Sequence, residues 1–292
     1  MIHDDPAAVA TAGALRALAE RILSDAGVPT ATGDADIIVA HVLGKGRVDV
    51  QHGALDDEAL SPGQVALATD FIERRSRREP LQHLTGKALF RSIELAVGPG
   101  VFVPRRETEF VTQLAVDALA AAGDAPIAVD LGTGAGAIAL AMATEVPKAT
   151  VYGVEVSAEA FEWTRRNFET LAPGNGVPVL ADMTDALPEL DGRVDVVSGN
   201  PPFIPDGTEP ATPEVRLFDP GVALFGGPDG LDLVRAVSRT ARRLLRPGGT
   251  LAMEHGVSQA ARVAAVLEAD GWASVTTRRD PRGHDRVTTA RR

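Results

Sequence analysis

Asn200-Pro201-Pro202-Phe203, directly after Gly199, combines residue types suited to chemistry on a planar nitrogen. Such a nitrogen is a poor nucleophile because its lone pair is delocalised; the same resonance gives a peptide bond its ~18–20 kcal/mol rotation barrier. To methylate it, a protein must hold both N–H groups and aim the lone pair at a methyl carbon. Asn200 offers a side-chain carbonyl oxygen, and Pro201 a backbone carbonyl with no N–H of its own. Two acceptors about 3 Å from that nitrogen would fix its orientation. Both bonds strengthen as the nitrogen gains positive charge, so they favour the transition state. Phe203 can stack on the flat group and exclude water. The plain alternative is a turn that closes a strand.

A second pattern lies about 65 residues upstream. In Val129-Asp130-Leu131-Gly132-Thr133-Gly134-Ala135-Gly136 the glycines alternate, between a predicted strand and its helix. Glycine there permits a tight turn and a close backbone approach to a ligand. A dinucleotide-binding loop would look similar, though it usually reads G-x-G-x-x-G. Glu155 ends the next predicted strand about 20 residues on, where an acid can accept hydrogen bonds from both ribose hydroxyls of an adenosine. Asp182 follows the third strand and could hold the adenine amino group; it is also an ordinary turn residue. Together the patterns imply in-line displacement on a sulfonium, with positioning and electrostatics carrying the catalysis. No metal or general base is evident, since the six histidines have no ligand spacing.

These residues need a scaffold that brings strand ends together. From 105 onward, predicted strands alternate with helices: 127–131, 151–156, 177–180, 194–198 and 249–254 as strands, and 138–143, 158–171, 231–245 and 259–270 as helices. Alternation implies a mostly parallel sheet covered on both faces. Strands at 273–277 and 287–290 follow each other closely and suggest an antiparallel edge. Residues 1–78 read as a small helical domain. Ala14, Leu15, Leu18, Ala19, Ile22 and Leu23 keep helical spacing, Asp34 could cap a second helix ended by Gly44, and Ser61-Pro62 opens a third. Arg74-Arg75-Ser76-Arg77-Arg78 then reads as a solvated helix end. Residues 79–104 read as a β-hairpin linker with Arg91-Ser92 near its turn, and 105–292 as the catalytic domain.

Composition narrows the partners. The formal net charge of −11 argues against a nucleic-acid substrate. No cysteines are present, so disulfides and thiolate metal sites are excluded. No stretch approaches the ~20 apolar residues that span a bilayer. The acidic start, Met1-Ile2-His3-Asp4-Asp5, lacks a signal peptide's basic and apolar segments. A monomeric cytoplasmic protein is expected.

With these motifs in hand, the chain resembles the protein-(glutamine-N5) methyltransferases that modify peptide chain release factors. The resemblance runs through Pro80-Leu81-Gln82-His83-Leu84-Thr85-Gly86, Val103-Pro104-Arg105-Arg106-Glu107-Thr108-Glu109, the glycine loop and Asn200-Pro201-Pro202-Phe203-Ile204-Pro205. It continues through Ala223–Leu231, Glu254-His255-Gly256 with Gln259, and Asp285-Arg286-Val287. It implies a class I (Rossmann-like) methyltransferase domain with a mostly parallel seven-stranded sheet, behind a helical domain that helps engage a protein. It implies S-adenosyl-L-methionine as cofactor and a Gly-Gly-Gln glutamine of a release factor as substrate. The cofactor-binding candidates are Gly132, Thr133, Gly134, Ala135, Gly136, Glu155, Asp182, Met183 and Asn200. Asn200, Pro201 and Phe203 are the catalytic candidates, and Asn200, Pro201, Pro202 and Phe203 the substrate-binding ones. Phe203 stands where Tyr is commoner, Arg106 for Pro, Glu155 for Asp, and Met183 where an aromatic residue often flanks the adenine. Competing readings are a glutamine methyltransferase of a ribosomal protein and an adenine-N6 methyltransferase of DNA or RNA.

Overall fold

The computed structural model describes residues 10–292, so the acidic start at residues 1–5 lies outside the described residues. The chain divides into two compact units, one of residues up to Gly86 plus Ala211–Phe218, the other of Lys87–Pro210 plus Asp219–Arg292. The hairpin therefore belongs to the second unit, and residues 79–86 to the first.

The first unit is helical: α1 (Ala12–Asp25), α2 (Ala31–Leu43), α3 (Arg47–Gln51), α4 (Pro62–Ser76) and α5 (Leu81–Thr85). The α4 start follows from its sequence: the Gln64 N–H donates to Ser61 Oγ, the Gln64 side chain accepts from the Ser61 N–H, and Pro62 sits at the first helical position. Asp34 does not cap α2 as the sequence suggests. That helix begins a turn earlier, and Asp34 in its first turn accepts from the Thr30 hydroxyl at 3.0 Å and from Arg75 Nε at 2.7 Å. Leu15, Leu23, Ile38, Phe71, Ile72 and Leu84 are buried in one core. Helices α3 and α5 are only five residues each, too short to display a period.

The basic cluster is not a solvated helix end. Arg75 is buried and bonds Asp34, Glu214 and the Glu79 carbonyl. Arg78 bonds Glu214 and the Gly27 carbonyl, and Arg74 bonds Glu79 and Asp70. Spacing alone hides the buried partners of Arg75 and Arg78, because Asp34 and Glu214 lie far away in sequence.

The second unit opens with the hairpin β1 (Lys87–Phe90) and β2 (Ile93–Ala96), with Phe90 opposite Ile93 across the Arg91-Ser92 turn. Then come α6 (Thr108–Ala120), β3 (Ile127–Leu131), α7 (Ala137–Glu145), β4 (Thr150–Glu155), α8 (Ala158–Leu171), β5 (Gly176–Leu180) and β6 (Val194–Gly199). The short α9 (Pro213–Phe218) falls in the segment assigned to the helical unit. Next follow α10 (Asp232–Leu244), β7 (Leu245–Glu254), α11 (Ala260–Ala269), β8 (Ala273–Arg279) and β9 (Asp285–Arg291).

The strand order is β5-β4-β3-β6-β7-β9-β8. The first five are parallel; β9 runs antiparallel to β7, and β8 antiparallel to β9, so β8 and not β9 is outermost. Successive strand residues serve opposite faces. Ala128, Val196 and Ala252 pack with α6, α7, α8 and the hairpin, while Val129, Val197 and Leu251 pack with α10 and α11. Helix α7 is buried from Ala137 to Ala143, so its alanines admit close neighbours while Leu140 and Met142 fill the core. Each such large apolar side chain contributes about 1.5–3 kcal/mol by burial.

Candidate active site

Parallel strands align their carboxyl ends, and the chemistry-bearing residues follow from there. After β3 the chain makes the glycine loop, with Gly132, Gly134 and Gly136 at positive φ. The Gly132 and Thr133 N–H groups both donate to the Val154 carbonyl, at 3.0 and 2.9 Å, which binds the loop to the end of β4. A Cβ on Gly134 would meet nothing within 4 Å, so its freedom serves the backbone conformation and leaves open space above the loop. Glu155 at the end of β4 is buried; Oε2 accepts from the Gly134 N–H at 2.9 Å and Oε1 from the Ser157 N–H at 2.8 Å. Each oxygen keeps a further lone pair for a ligand hydroxyl.

The loop has a buried support that the sequence reading passed over. Asp130 accepts from Thr133 Oγ1 at 2.7 Å and from Ser198 Oγ at 2.8 Å, joining the glycine loop to the strand that leads into Asn200. Burial raises its pKa, against hydrogen bonds from Thr133 and Ser198. An acid inside an otherwise apolar strand was the available signal. Asp182 is exposed, and Oδ1 accepts from the Thr184 N–H at 2.8 Å and from its hydroxyl; the backbone bond lowers its pKa. Met183 beside it is buried, with its methyl near Gly132.

The Asn200–Phe203 run leaves β6 directly. Pro201 is buried, and Asn200, Pro202 and Phe203 are half-buried. Its shape is fixed from below by the segment 224–231. Ile204 N–H donates to the Leu224 carbonyl, and Gly226 N–H to the Ile204 carbonyl, both at 2.9 Å. Gly230 is at positive φ, and a Cβ there would overlap the Phe203 carbonyl oxygen. Gln259 Nε2 donates to that same carbonyl at 2.9 Å and to the Gly230 carbonyl at 3.3 Å, while Gln259 Oε1 accepts from the Gly256 N–H. These contacts give a physical reason for Gly230 and Gln259, which sequence reasoning reached only through resemblance.

Asn200 Nδ2 donates to Thr108 Oγ1 at 3.3 Å, and its Oδ1 accepts from none of the described residues. Thr108 is buried in the first turn of α6. Because Gly199 pairs with Met253 in parallel register, Glu254 is the neighbour of Asn200 at the end of the next strand. Burial pushes the Glu254 carboxyl up to about 7, against the Thr108 hydroxyl and Arg286. Thr108 and Glu254 were not among the residues expected at the site.

Glycine loop, acid-ended β4 and the strand order define a class I methyltransferase, which takes its methyl group from S-adenosylmethionine. Residues 14–86 match the PrmC N-terminal domain family and residues 92–218 the methyltransferase small domain family. The chain is 46% identical over 280 residues to the release factor glutamine methyltransferase of Streptomyces coelicolor, covering 94% of this chain and 96% of that one, and it belongs to the release factor glutamine methyltransferase family. It is also 43% identical over 226 residues, 75% of each chain, to the 4-amino-L-phenylalanine/4-methylamino-L-phenylalanine methyltransferase of Streptomyces pristinaespiralis. In fold it is similar to a methyltransferase from Pyrococcus furiosus, with TM-score 0.50 and 21% identity, covering 75% of this chain and 97% of that one.

The residues fit the cofactor. Open space above Gly134 admits a ligand against backbone, and the Glu155 carboxylate, fixed by two N–H groups, retains acceptor capacity. Among the described residues no helix is long and apolar enough to cross a membrane.

Proposed function

We propose that the protein transfers a methyl group from S-adenosylmethionine to the side-chain amide N5 of the glutamine in the Gly-Gly-Gln motif of a peptide chain release factor. The observation that carries this reading is the state of Asn200: its Nδ2 is committed to Thr108, which leaves Oδ1 to accept from a substrate N–H. The bound cofactor supplies an electrophilic methyl carbon on a sulfonium. Asn200 Oδ1 and the Pro201 carbonyl hold the two amide hydrogens and so aim the nitrogen lone pair. Phe203 covers the flat amide and keeps water away. The glycine loop from Gly132 to Gly136, Glu155, Asp182 and Met183 seat the cofactor. Since the acceptors are held before substrate arrives, they need no reorganisation as charge develops on nitrogen.

The helical unit engages the protein substrate, and the enzyme acts as a monomer in the cytoplasm at the service of translation termination. The family membership supports this substrate, and so do the two relatives' chemistries, each a planar nitrogen conjugated to a π-system. The test offers methyl-labelled S-adenosylmethionine with a release factor, ribosomal proteins, adenine-containing DNA or free 4-amino-L-phenylalanine. Label on the Gly-Gly-Gln glutamine is the expected result. Label on one of the others, with none on the release factor, overturns the proposal.

A further inference from the structure

Helix α8 turns Ala160, Thr164, Asn167 and Phe168 inward. Apolar side chains ordinarily fill such a stripe, because a polar group taken out of water needs a partner. Yet Thr164 and Asn167 are 0% and 2% exposed. Their partners are backbone groups of two distant segments. Asn167 Oδ1 accepts from the Ala96 N–H at 2.8 Å, and Nδ2 donates to the Ala96 carbonyl at 2.9 Å, so the side-chain amide pairs with the end of β2 as a neighbouring strand would. Nδ2 gives its second proton to the Ala135 carbonyl of the glycine loop, also at 2.9 Å. Both donors of the amide are engaged, and the flipped orientation would set an oxygen against two carbonyls.

Thr164 holds the same loop one residue earlier. Its hydroxyl lies 2.6 Å from the Gly134 carbonyl and 3.1 Å from the Ala160 carbonyl. A threonine in a helix commonly donates to the carbonyl four residues back; here the single proton has a shorter partner outside the helix. Glu155 Oε2 accepts from the Gly134 N–H. Both backbone groups of Gly134 are thus fixed by side chains, one of them the candidate ribose acceptor. A trans peptide sets C=O and N–H on opposite sides, so carbonyls held against α8 turn the Ala135 and Gly136 N–H groups the other way. The Gly136 N–H is met within the loop by the Thr133 carbonyl.

We propose that Asn167 and Thr164 are positioning residues for the cofactor: they hold the Gly134 and Ala135 carbonyls against α8, and Asn167 makes the hairpin end at Ala96 part of the same support. The inference rests on the reading that the glycine loop seats S-adenosylmethionine. Both side chains are closed to solvent and act through the loop backbone. Valine in place of Thr164 and leucine in place of Asn167 would fill the stripe without burying a polar group, so packing does not account for the pair. With the carbonyls released, the loop gains the conformations that its three positive-φ glycines permit. The ligand then binds only the fraction of molecules whose loop is in place, which weakens affinity. Once bound, it restores the loop, so the transfer step itself is little changed.

The experiment measures S-adenosylmethionine affinity by calorimetry, melting temperature, and single-turnover methyl transfer to a Gly-Gly-Gln release factor at saturating cofactor. The full chain is compared with Asn167→Asp, Thr164→Val, Thr164→Ser, Asn175→Ala and Gly134→Val. Asn167→Asp keeps the shape but sets an oxygen against the two carbonyls, and Thr164→Val removes the hydroxyl; we expect each to raise the cofactor Kd by about 10- to 100-fold. Transfer at saturation stays within about threefold of wild type, and Thr164→Ser restores affinity to the same margin. Asn175 donates to the Ala143 and Ala149 carbonyls at 2.9 and 3.0 Å, at the other end of β4 from the loop. Its replacement by Ala lowers the melting temperature and leaves the cofactor Kd within that margin. If Gly134→Val binds poorly while Asn167→Asp and Thr164→Val bind as wild type does, the positioning role is wrong and the loop reading stands. Wild-type affinity in a folded Gly134→Val refutes the loop reading itself. A Thr164→Ser protein as impaired as Thr164→Val, or an Asn175→Ala protein that loses as much affinity, makes the effect one of general stability and overturns the inference. Should Asn167→Asp not fold, the Thr164 pair decides alone.

Discussion

Arg75 on α4 and Glu214 on α9 stand 139 residues apart in sequence, and Arg75 Nη1 donates to Glu214 Oε1 at 2.9 Å. Arg78 Nη2 bonds the other oxygen of Glu214 at 2.9 Å, and Arg75 also bonds Asp34, so two guanidinium groups and two carboxylates share a largely buried cluster. The chain thus lends the helical unit one short helix, taken from the segment that follows the Asn200–Phe203 run.

Arg75→Met should destabilise the helical unit by about 3–5 kcal/mol, because the buried Asp34 carboxylate loses its guanidinium partner while Glu214 keeps only Arg78. Thermal unfolding followed by circular dichroism checks this; an unchanged melting temperature would show that the cluster is well solvated. Burial alone would raise the Glu214 pKa, but hydrogen bonds from Arg78 and Arg75 hold it below its ordinary value. A depressed carboxyl contributes stability above its unfolded pKa and loses it as pH falls through the folded value, so wild type and Glu214→Gln should converge in stability in acid.

Glu254 has the opposite sign. Its folded pKa of about 7 exceeds the ordinary carboxyl value, so between the two the folded chain keeps a proton that the unfolded chain gives up. Wild-type stability should fall over that interval as pH rises, and Glu254→Gln should abolish this contribution to the fall. Melting temperatures across the interval decide the matter; parallel curves for the two proteins would refute the assignment.

Replacing Glu155 with Ala removes the candidate ribose acceptor and also the anchor of the Gly134 and Ser157 N–H groups. Cofactor affinity should drop roughly 10- to 100-fold. Glu155→Asp should be milder in charge but too short to hold both N–H groups, so its loss should lie between. Calorimetric titration with S-adenosylmethionine giving wild-type affinity for Glu155→Ala would remove Glu155 from the site.

Asn200→Ala should cost about 10²–10³ in transfer rate while cofactor affinity stays near wild type, since one preorganised acceptor is gone. Gly230→Ala should mimic this indirectly: its Cβ would press on the Phe203 carbonyl oxygen and displace the loop that carries Asn200 and Pro201. Rapid-quench methyl transfer reads both. A Gly230→Ala protein that is folded and fully active would mean that the segment under the loop yields without consequence.

The elements that position the site were legible because their signals are local. Strand β3, helix α8 and the Ser61-Pro62 start of α4 stand where apolar runs and capping residues put them. The support of the site was not legible. Thr108 reads as one residue of a helix start and Glu254 as the polar end of a strand; Thr108 reaches Asn200 from α6 across 92 residues, and Glu254 stands beside it because the parallel sheet sets β6 beside β7. Arg75 likewise reads as a solvated cation, since Asp34 and Glu214 lie 41 and 139 residues away. Asp34 reads as a cap because a first-turn acid and a capping acid present the same letter in nearly the same place.

The interior position of β9 bears on how the chain matures as it is made. Strand β8 is synthesised before β9 yet hydrogen-bonds to the sheet through β9 alone. During synthesis β7 therefore waits with one edge bare, and β8 has nothing to pair with, until residues 285–291 emerge from the ribosome. The catalytic unit cannot close its sheet by sequential growth from one end; its last long-range pairing is a late insertion that seals two edges at once. A ribosome stalled short of those residues would hold a chain with its glycine loop and Asn200 run already formed in sequence but with an open, aggregation-prone sheet edge beside Glu254.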